Sequence, residues 1–292
     1  MNERPVIFQV QGEEVLGILH PGAEDARRGV LIAVGGPQYR VGSHRQFLLL
    51  ARQLAAQGIP VFRFDFRGMG DSSGRQRDYE EVHEDMCEAM DTFAQQVPGL
   101  REVVIWGLCG AASAGLFYGW RDPRVAGLVL VNPWVRTDEG LARAYLKTYY
   151  LQRLLSRDFW ASALRGRFNP WVSIRSLAHT AKAALLPRET QEGSEAASPD
   201  LGNGPLPDRM AEGWRRFHGP ILLILSGDDL TAAEFRDVAS TAPAWEGLLE
   251  EPRVTRQELP EANHTFSRRE WRDQVAAWTQ DWVQNIPGRS ST

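Results

Sequence analysis

Apolar and polar positions along the chain change period several times, and each change marks an element. Val6–Val10 and Glu14–Leu19 alternate about Gln11-Gly12-Glu13, which predicts an antiparallel hairpin at a sheet edge. Gly29–Val34 is a continuous apolar run, as expected of a strand covered on both faces. Pro60–Asp65, Val103–Trp106, Val125–Val131 and Gly219–Leu225 read the same way, and Val254–Leu259 predicts a last, short strand. Helical spacing lies between them. Ser43 is placed to cap a helix that runs to about Gln57, with Phe47, Leu50, Ala51 and Leu54 on one face. Further helices are predicted over Glu80–Val97, Gly110 to about Trp120, and Arg268 to about Ile286, where Trp271, Val275, Trp278 and Trp282 share a face. Strand and helix alternate, which predicts a mostly parallel sheet flanked by helices. From Trp134 to about Trp214 the strands stop and helical spacing continues, ending in a Gly-, Ser-, Pro- and acid-rich stretch over Thr190–Pro207. The expected organisation is a core over 1–133 and 215–292 with a helical cap insertion over 134–214.

The chemistry is concentrated where strands end. Gly107-Leu108-Cys109-Gly110-Ala111 joins a buried strand to a helix. A turn that lifts a nucleophile above a sheet has the form Gly-x-nucleophile-x-Gly, because bulk beside the nucleophile cannot be accommodated. Here Cys109 takes the nucleophile's place and Ala111 the last small position. Gly35-Gly36 follows the strand before it, and Gly36 is the candidate for one oxyanion N–H, since Pro37 has none. Gly110, next to the nucleophile, is the second candidate. Asp228 and Asp229 follow the Gly219–Leu225 strand, and His264 follows the last one. Spacing alone does not separate the two aspartates. His20, His44, His83, His179 and His218 are rivals for the base, with His44 and Gln38 placed to line a pocket near the glycine loop. The order Cys109, Asp229, His264 is nucleophile, acid, histidine, each at the carboxyl edge of a parallel sheet, where such sheets bind ligands. The glycines of Phe66–Gly74 lack the Lys of a phosphate-cradling loop, so no nucleotide site is expected there.

Composition changes this picture little. The 292 residues are 43% apolar and 24% charged with net charge −4, which offers no general attraction to nucleic acid. Two cysteines make no disulfide framework, and no Cys/His cluster has zinc spacing, so neither a metal nor another cofactor is expected. The N-terminal residues lack a basic region followed by an apolar core, and no run approaches a membrane span; the expected setting is a reducing cytoplasm. One asymmetry stands out. Residues 136–188 hold ten Lys and Arg against three acids, a net +7. Such a surface suits an acidic carrier protein or an anionic membrane surface, or is a solvated face balanced elsewhere.

Four segments carry a resemblance. They are Gly35-Gly36-Pro37-Gln38-Tyr39-Arg40-Val41-Gly42-Ser43-His44-Arg45, Trp106-Gly107-Leu108-Cys109, Leu225-Ser226-Gly227-Asp228-Asp229-Leu230-Thr231 and Asn263-His264-Thr265-Phe266. Over nearly its whole length the chain resembles the α/β-hydrolase superfamily. Within it, the chain is similar to hydrolases associated with the exosortase A system, found beside bacterial genes for exopolysaccharide production and protein sorting. The resemblance implies an α/β-hydrolase fold with a helical cap, a triad of Cys109, Asp229 and His264, and an acyl substrate. It also favours Asp229 over Asp228, through the Gly-x-Asp form. Cys in place of Ser departs from the superfamily's usual nucleophile. Three functions are compatible with these residues: an ester or thioester hydrolase, an acyltransferase fed by a carrier thioester, and a non-catalytic binding protein, the last suggested by Ala111.

Overall fold

The computed structural model describes residues 3–35, 39–135, 201–202 and 204–288. The chain divides into two units, Met1–Val135 with Ala196–Thr292, and Arg136–Glu195. All described residues belong to the first. Within it an eight-stranded sheet has the order β1-β2-β4-β3-β5-β6-β7-β8. Its strands are β1 (Arg4–Val10), β2 (Glu13–His20), β3 (Arg28–Ala33), β4 (Val61–Phe64), β5 (Glu102–Leu108), β6 (Val125–Val131), β7 (Ile221–Asp228) and β8 (Val254–Asn263). Only β2 runs against its neighbours. The hairpin turn uses Gln11 and Gly12 at positive φ, the twist that a two-residue connection needs.

The central strands are apolar throughout because they are covered twice. Leu31, Ile105, Leu130 and Leu223 face one core; Ile32, Trp106, Val129 and Leu222 face the other. Successive side chains alternate between the faces, so a continuous apolar run supplies both. Helices α2 (His83–Gln96), α3 (Gly110–Tyr118), α4 (Leu206–Arg216) and α5 (Leu230–Thr241) contribute buried side chains to the first core. The second takes α1 (Gln46–Ala56) and α6 (Arg269–Asn285). Side-chain hydrogen bonds tie α6 down at its middle and at its C-terminal end. Trp106 Nε1 donates to Thr279 Oγ1 (3.3 Å), and Arg28, paired with Glu102, donates to the carbonyls of Val283 and Ile286 at the helix's last turn.

Three sequence expectations change. Ser43 does not cap α1: His44 and Arg45 take left-handed φ (53° and 62°), Arg45 is the N-cap residue, and no side chain caps the helix. The chain enters α1 through a tight turn instead, with Gly42 N–H on Tyr39 C=O and Leu48 N–H on Val41 C=O. β8 continues past Leu259 to Asn263, through Pro260; an edge strand tolerates the missing donor. Finally, residues 206–214, expected in the cap, belong to a core helix. Met210, Ala211 and Trp214 are fully buried, Trp214 meets the Trp245 ring edge-on at 5.5 Å, and Gly213 lies against the Leu116 backbone so closely that a Cβ would come within 2.4 Å of its oxygen. Residues 136–200 of the expected cap, with its basic residues, lie outside the described residues. Among the described residues no helix is long and apolar enough to cross a membrane.

Candidate active site

β5 occupies an inner position, and its end carries Cys109 at φ 60°, ψ −124°. An L-residue in this region carries about 1–3 kcal/mol of strain, which packing around it must offset. Small neighbours make the turn possible. A Cβ at Gly107 would fall 2.5 Å from the carbonyl of Ala111, and one at Gly35 would fall 2.4 Å from the Ala111 nitrogen. Ala111 itself is fully buried and fits, so its methyl does not break the turn. Cys109 is partly exposed. Its N–H donates to Val131 C=O (2.9 Å) and its C=O accepts from Ala112 N–H (3.0 Å). Gly110 begins α3, so its N–H has no acceptor within the helix and lies at the positive end of the helix dipole.

Asp229 and His264 meet behind it. Asp229 is the N-cap of α5; its carboxylate accepts from Thr231 N–H (3.1 Å) and Ala232 N–H (3.0 Å). The same carboxylate lies 2.8 Å from His264 Nδ1. The Asp229 side chain is 6% exposed and that of His264 30%, so the pair opens to solvent on the ring's side. Burial opposes ionisation of Asp229. The bond and charge of His264, with the two backbone donors, outweigh it and hold the carboxyl below its usual range. Burial likewise disfavours the imidazolium, but hydrogen bonding to Asp229 and Cys109, and the charge of both, push His264 up to about 10. The ring is bonded to the carboxylate, and the thiol lies near enough to act on its acidity.

Asp228 is exposed at the end of β7, opposite Asn263. His44 and His218 are exposed, His20 is buried against Arg63 at 2.9 Å, and His83 packs on the Tyr118 ring. Gly36, Gln38 and His179 lie outside the described residues. Among the described residues no group of three His, Cys, Asp or Glu side chains is placed to hold a metal.

Sequence reading missed the polar groups around the site. Asp65, fully buried beyond β4, accepts from the Arg40 N–H (2.6 Å) and from the Arg40 guanidinium, which also pairs with Asp71 at 2.7 Å. Arg63 Nη1 donates to Arg40 C=O (3.0 Å). Both peptide groups of Arg40 are therefore held by side chains on or just beyond β4. The Tyr79 ring packs against Gly110, where a Cβ would lie 3.2 Å from it, and stacks on Phe117. None of these residues has a local motif that would announce it.

The family model described as serine aminopeptidase, S33, matches residues 26–197, more than half of the chain. The chain belongs to that family. It is an α/β-hydrolase. No curated protein matches it. Solved structures share the fold at low identity. Esterase Pf2001 of Pyrococcus furiosus is 13% identical, with 98% of this chain and 94% of that one covered, at TM-score 0.63. The α/β-hydrolase GrgF of Penicillium sp. sh18 is 17% identical, with 98% and 99% covered, at 0.62. Est1E of Butyrivibrio proteoclasticus, solved with ferulic acid bound, is 12% identical, with 96% and 98% covered, at 0.63.

Proposed function

We propose that this hydrolase cleaves an ester or thioester through a Cys109–His264–Asp229 triad and a covalent acyl-enzyme. One observation carries the reading: the imidazole of His264 is hydrogen-bonded to a buried carboxylate, and the thiol of Cys109, on a strained strand-to-helix turn, lies close enough to act on the acidity of the ring. A ring held up to about 10 keeps its proton at neutral pH, which suits a thiolate partner better than a neutral thiol. The positive end of α3 favours the same charge state.

The thiolate attacks the carbonyl carbon, and the oxygen takes the negative charge. Gly110 N–H receives it, and Gly36, outside the described residues, is the second donor; such a donor contributes about 3 kcal/mol. The C–O or C–S bond to the leaving group breaks as His264 gives it a proton, leaving Cys109 acylated. His264 then takes a proton from water, and the resulting hydroxide attacks the thioester. The free acid leaves, and the thiolate and imidazolium are restored. Asp229 holds the ring's tautomer and offsets its charge. A thiol ester is reactive toward water, so activated acyl groups suit this nucleophile better than amides. The esterases among the structural relatives agree with an ester substrate, and the segments resembling exosortase-associated hydrolases suggest a bacterial exopolysaccharide setting for it.

Incubation with activated thioesters and aryl esters tests the reading. We expect a mass increase on Cys109 equal to the acyl group, absent in Cys109→Ala, whose turnover drops to background. Wild-type turnover by Cys109→Ala overturns it. Product analysis with candidate acceptors separates hydrolysis, which yields only free acid, from transfer.

A further inference from the structure

One turn touches all the strand ends that carry the site. After β6 the chain passes through Asn132, Pro133 and Trp134. Cys109 leans on this turn from both sides: its N–H donates to Val131 C=O (2.9 Å), and its C=O accepts from Trp134 N–H (3.4 Å). Ser113 Oγ, one turn into α3, donates to Trp134 C=O (2.6 Å). Asn132 reaches the other way. Its Nδ2 donates to Ser226 Oγ (2.9 Å) and to His264 C=O (3.1 Å), and its Oδ1 accepts from Ser226 N–H (2.9 Å). Its own N–H donates to Ile224 C=O (3.0 Å). The residue is fully buried, at φ 44°, a conformation Asn adopts more readily than most residues.

These bonds matter because of where the base sits. His264 follows β8, an edge strand with a single neighbour, and the β7–β8 pairing is irregular between Ser226 and Asp228, just before the acid. The ladder alone therefore fixes the base's loop weakly. Asn132 ties that loop to an inner strand and, through Ser226, to the strand that presents Asp229.

We infer that Asn132 is a positioning residue: it sets the backbone of His264 against the Asp229 strand, while its own turn sets Cys109. This deepens, and rests on, the triad reading above. A triad needs its members placed to a fraction of an ångström, and a displacement of about 1 Å costs on the order of 100-fold.

The test uses the full chain with two substitutions. Asn132→Gly removes the side chain and keeps the left-handed backbone; Asn132→Asp keeps the shape and the acceptor for Ser226 N–H but cannot donate to His264 C=O. Both should lower kcat by roughly 10- to 100-fold with KM changed less than about twofold. In Asn132→Gly, the pH profile of iodoacetamide alkylation of Cys109, followed by mass on its own peptide to exclude Cys87, should move away from that of wild type. Asp229 and Cys109 are the titratable groups facing the ring, and both remain. Ser226→Ala leaves the Asn132–His264 bond and should stay within about threefold of wild type. A thermal midpoint that falls in both Asn132 variants while kcat and the alkylation profile stay at wild type overturns the positioning role. A wild-type profile that moves in His264→Ala but not in Asn132→Gly overturns it too, and leaves the triad standing. A wild-type profile that does not move in His264→Ala removes the triad, and this inference with it.

Discussion

Two aspartates stand just beyond strand ends on the same edge of the sheet, and they have different partners. Asp65, beyond β4, is wholly buried and faces Arg40, whose backbone N–H it also accepts. Asp229, beyond β7, is nearly as buried and accepts two backbone N–H groups at the start of α5, but it faces His264. Both carboxylates are held by backbone donors and a base. The bases differ in one property. A guanidinium never releases its proton under working conditions, whereas an imidazole does. The first pair can only hold the loop after β3 in place; the second can move a proton to and from a reacting group.

The largest expected effect separates them by role. Asp229→Asn keeps the cap acceptor for α5 but lets the His264 ring take the wrong tautomer. We expect kcat to fall by about 10⁴-fold, as in comparable triads, along with the stability that the His264 pair contributes. Asp65→Asn should cost stability and leave kcat near wild type. Arg40 keeps Asp71 at 2.7 Å, a half-exposed carboxylate, but loses its buried partner. Breaking a buried pair from one side costs about 3–5 kcal/mol, and the lower end of that range is expected in a urea titration. If Asp65→Asn instead kept its stability and lost activity as Asp229→Asn does, the division between holding and chemistry would collapse.

How far this contrast was visible in the sequence depends on the range of the interaction. Cys109 was legible because the constraint is local: Gly107, Gly110 and Ala111 are small for steric reasons that the motif itself states. Asp229 was legible only with the resemblance, since Asp228 has the same spacing, and what separates them is that Asp229 turns inward to cap α5. Buried runs gave the strands, because double coverage leaves a continuous apolar signature. Arg40, Asp65 and Asn132 were not legible. Each pairs with a group 23 to 132 residues away, and a polar residue at a strand end looks the same whether its partner is water or a distant backbone carbonyl. α4 failed for a related reason. Its residues were read as part of the helical stretch of the cap, and helical spacing does not say which surface a helix covers.

Acidity offers a finer way to separate the two pairs. His264 is raised from 6.5 to about 10 in the folded chain. A group raised on folding contributes stability that is complete below its unfolded value and is lost as pH rises through the folded one. Unfolding free energy should therefore decline as pH rises from about 7 to about 10. His264→Ala should remove that component of the slope. Asp229, lowered on folding, acts at the other end: its contribution is present at neutral pH and is lost on acidification through the carboxylate range. Paired urea titrations of wild type and His264→Ala across this interval check the sign. A decline of the same size in both would mean that the imidazole is not held charged by its neighbours.

The smallest effect probes the outer edge of the Arg40 cluster. Asp71 sits 2.7 Å from the Arg40 guanidinium with its side chain 54% exposed, while its backbone N–H donates to Asp65 (3.2 Å). Asp71→Asn removes the charge and leaves that backbone bond. An exposed partner gains little, because water and salt screen it, so the expected loss is below about 1 kcal/mol and should shrink further in salt. Asp65→Asn, in contrast, should be nearly insensitive to salt, because the pair it breaks is buried. A salt-independent loss of several kcal/mol from Asp71→Asn would mean that the two carboxylates hold Arg40 as one unit, and that the buried one has no separate role.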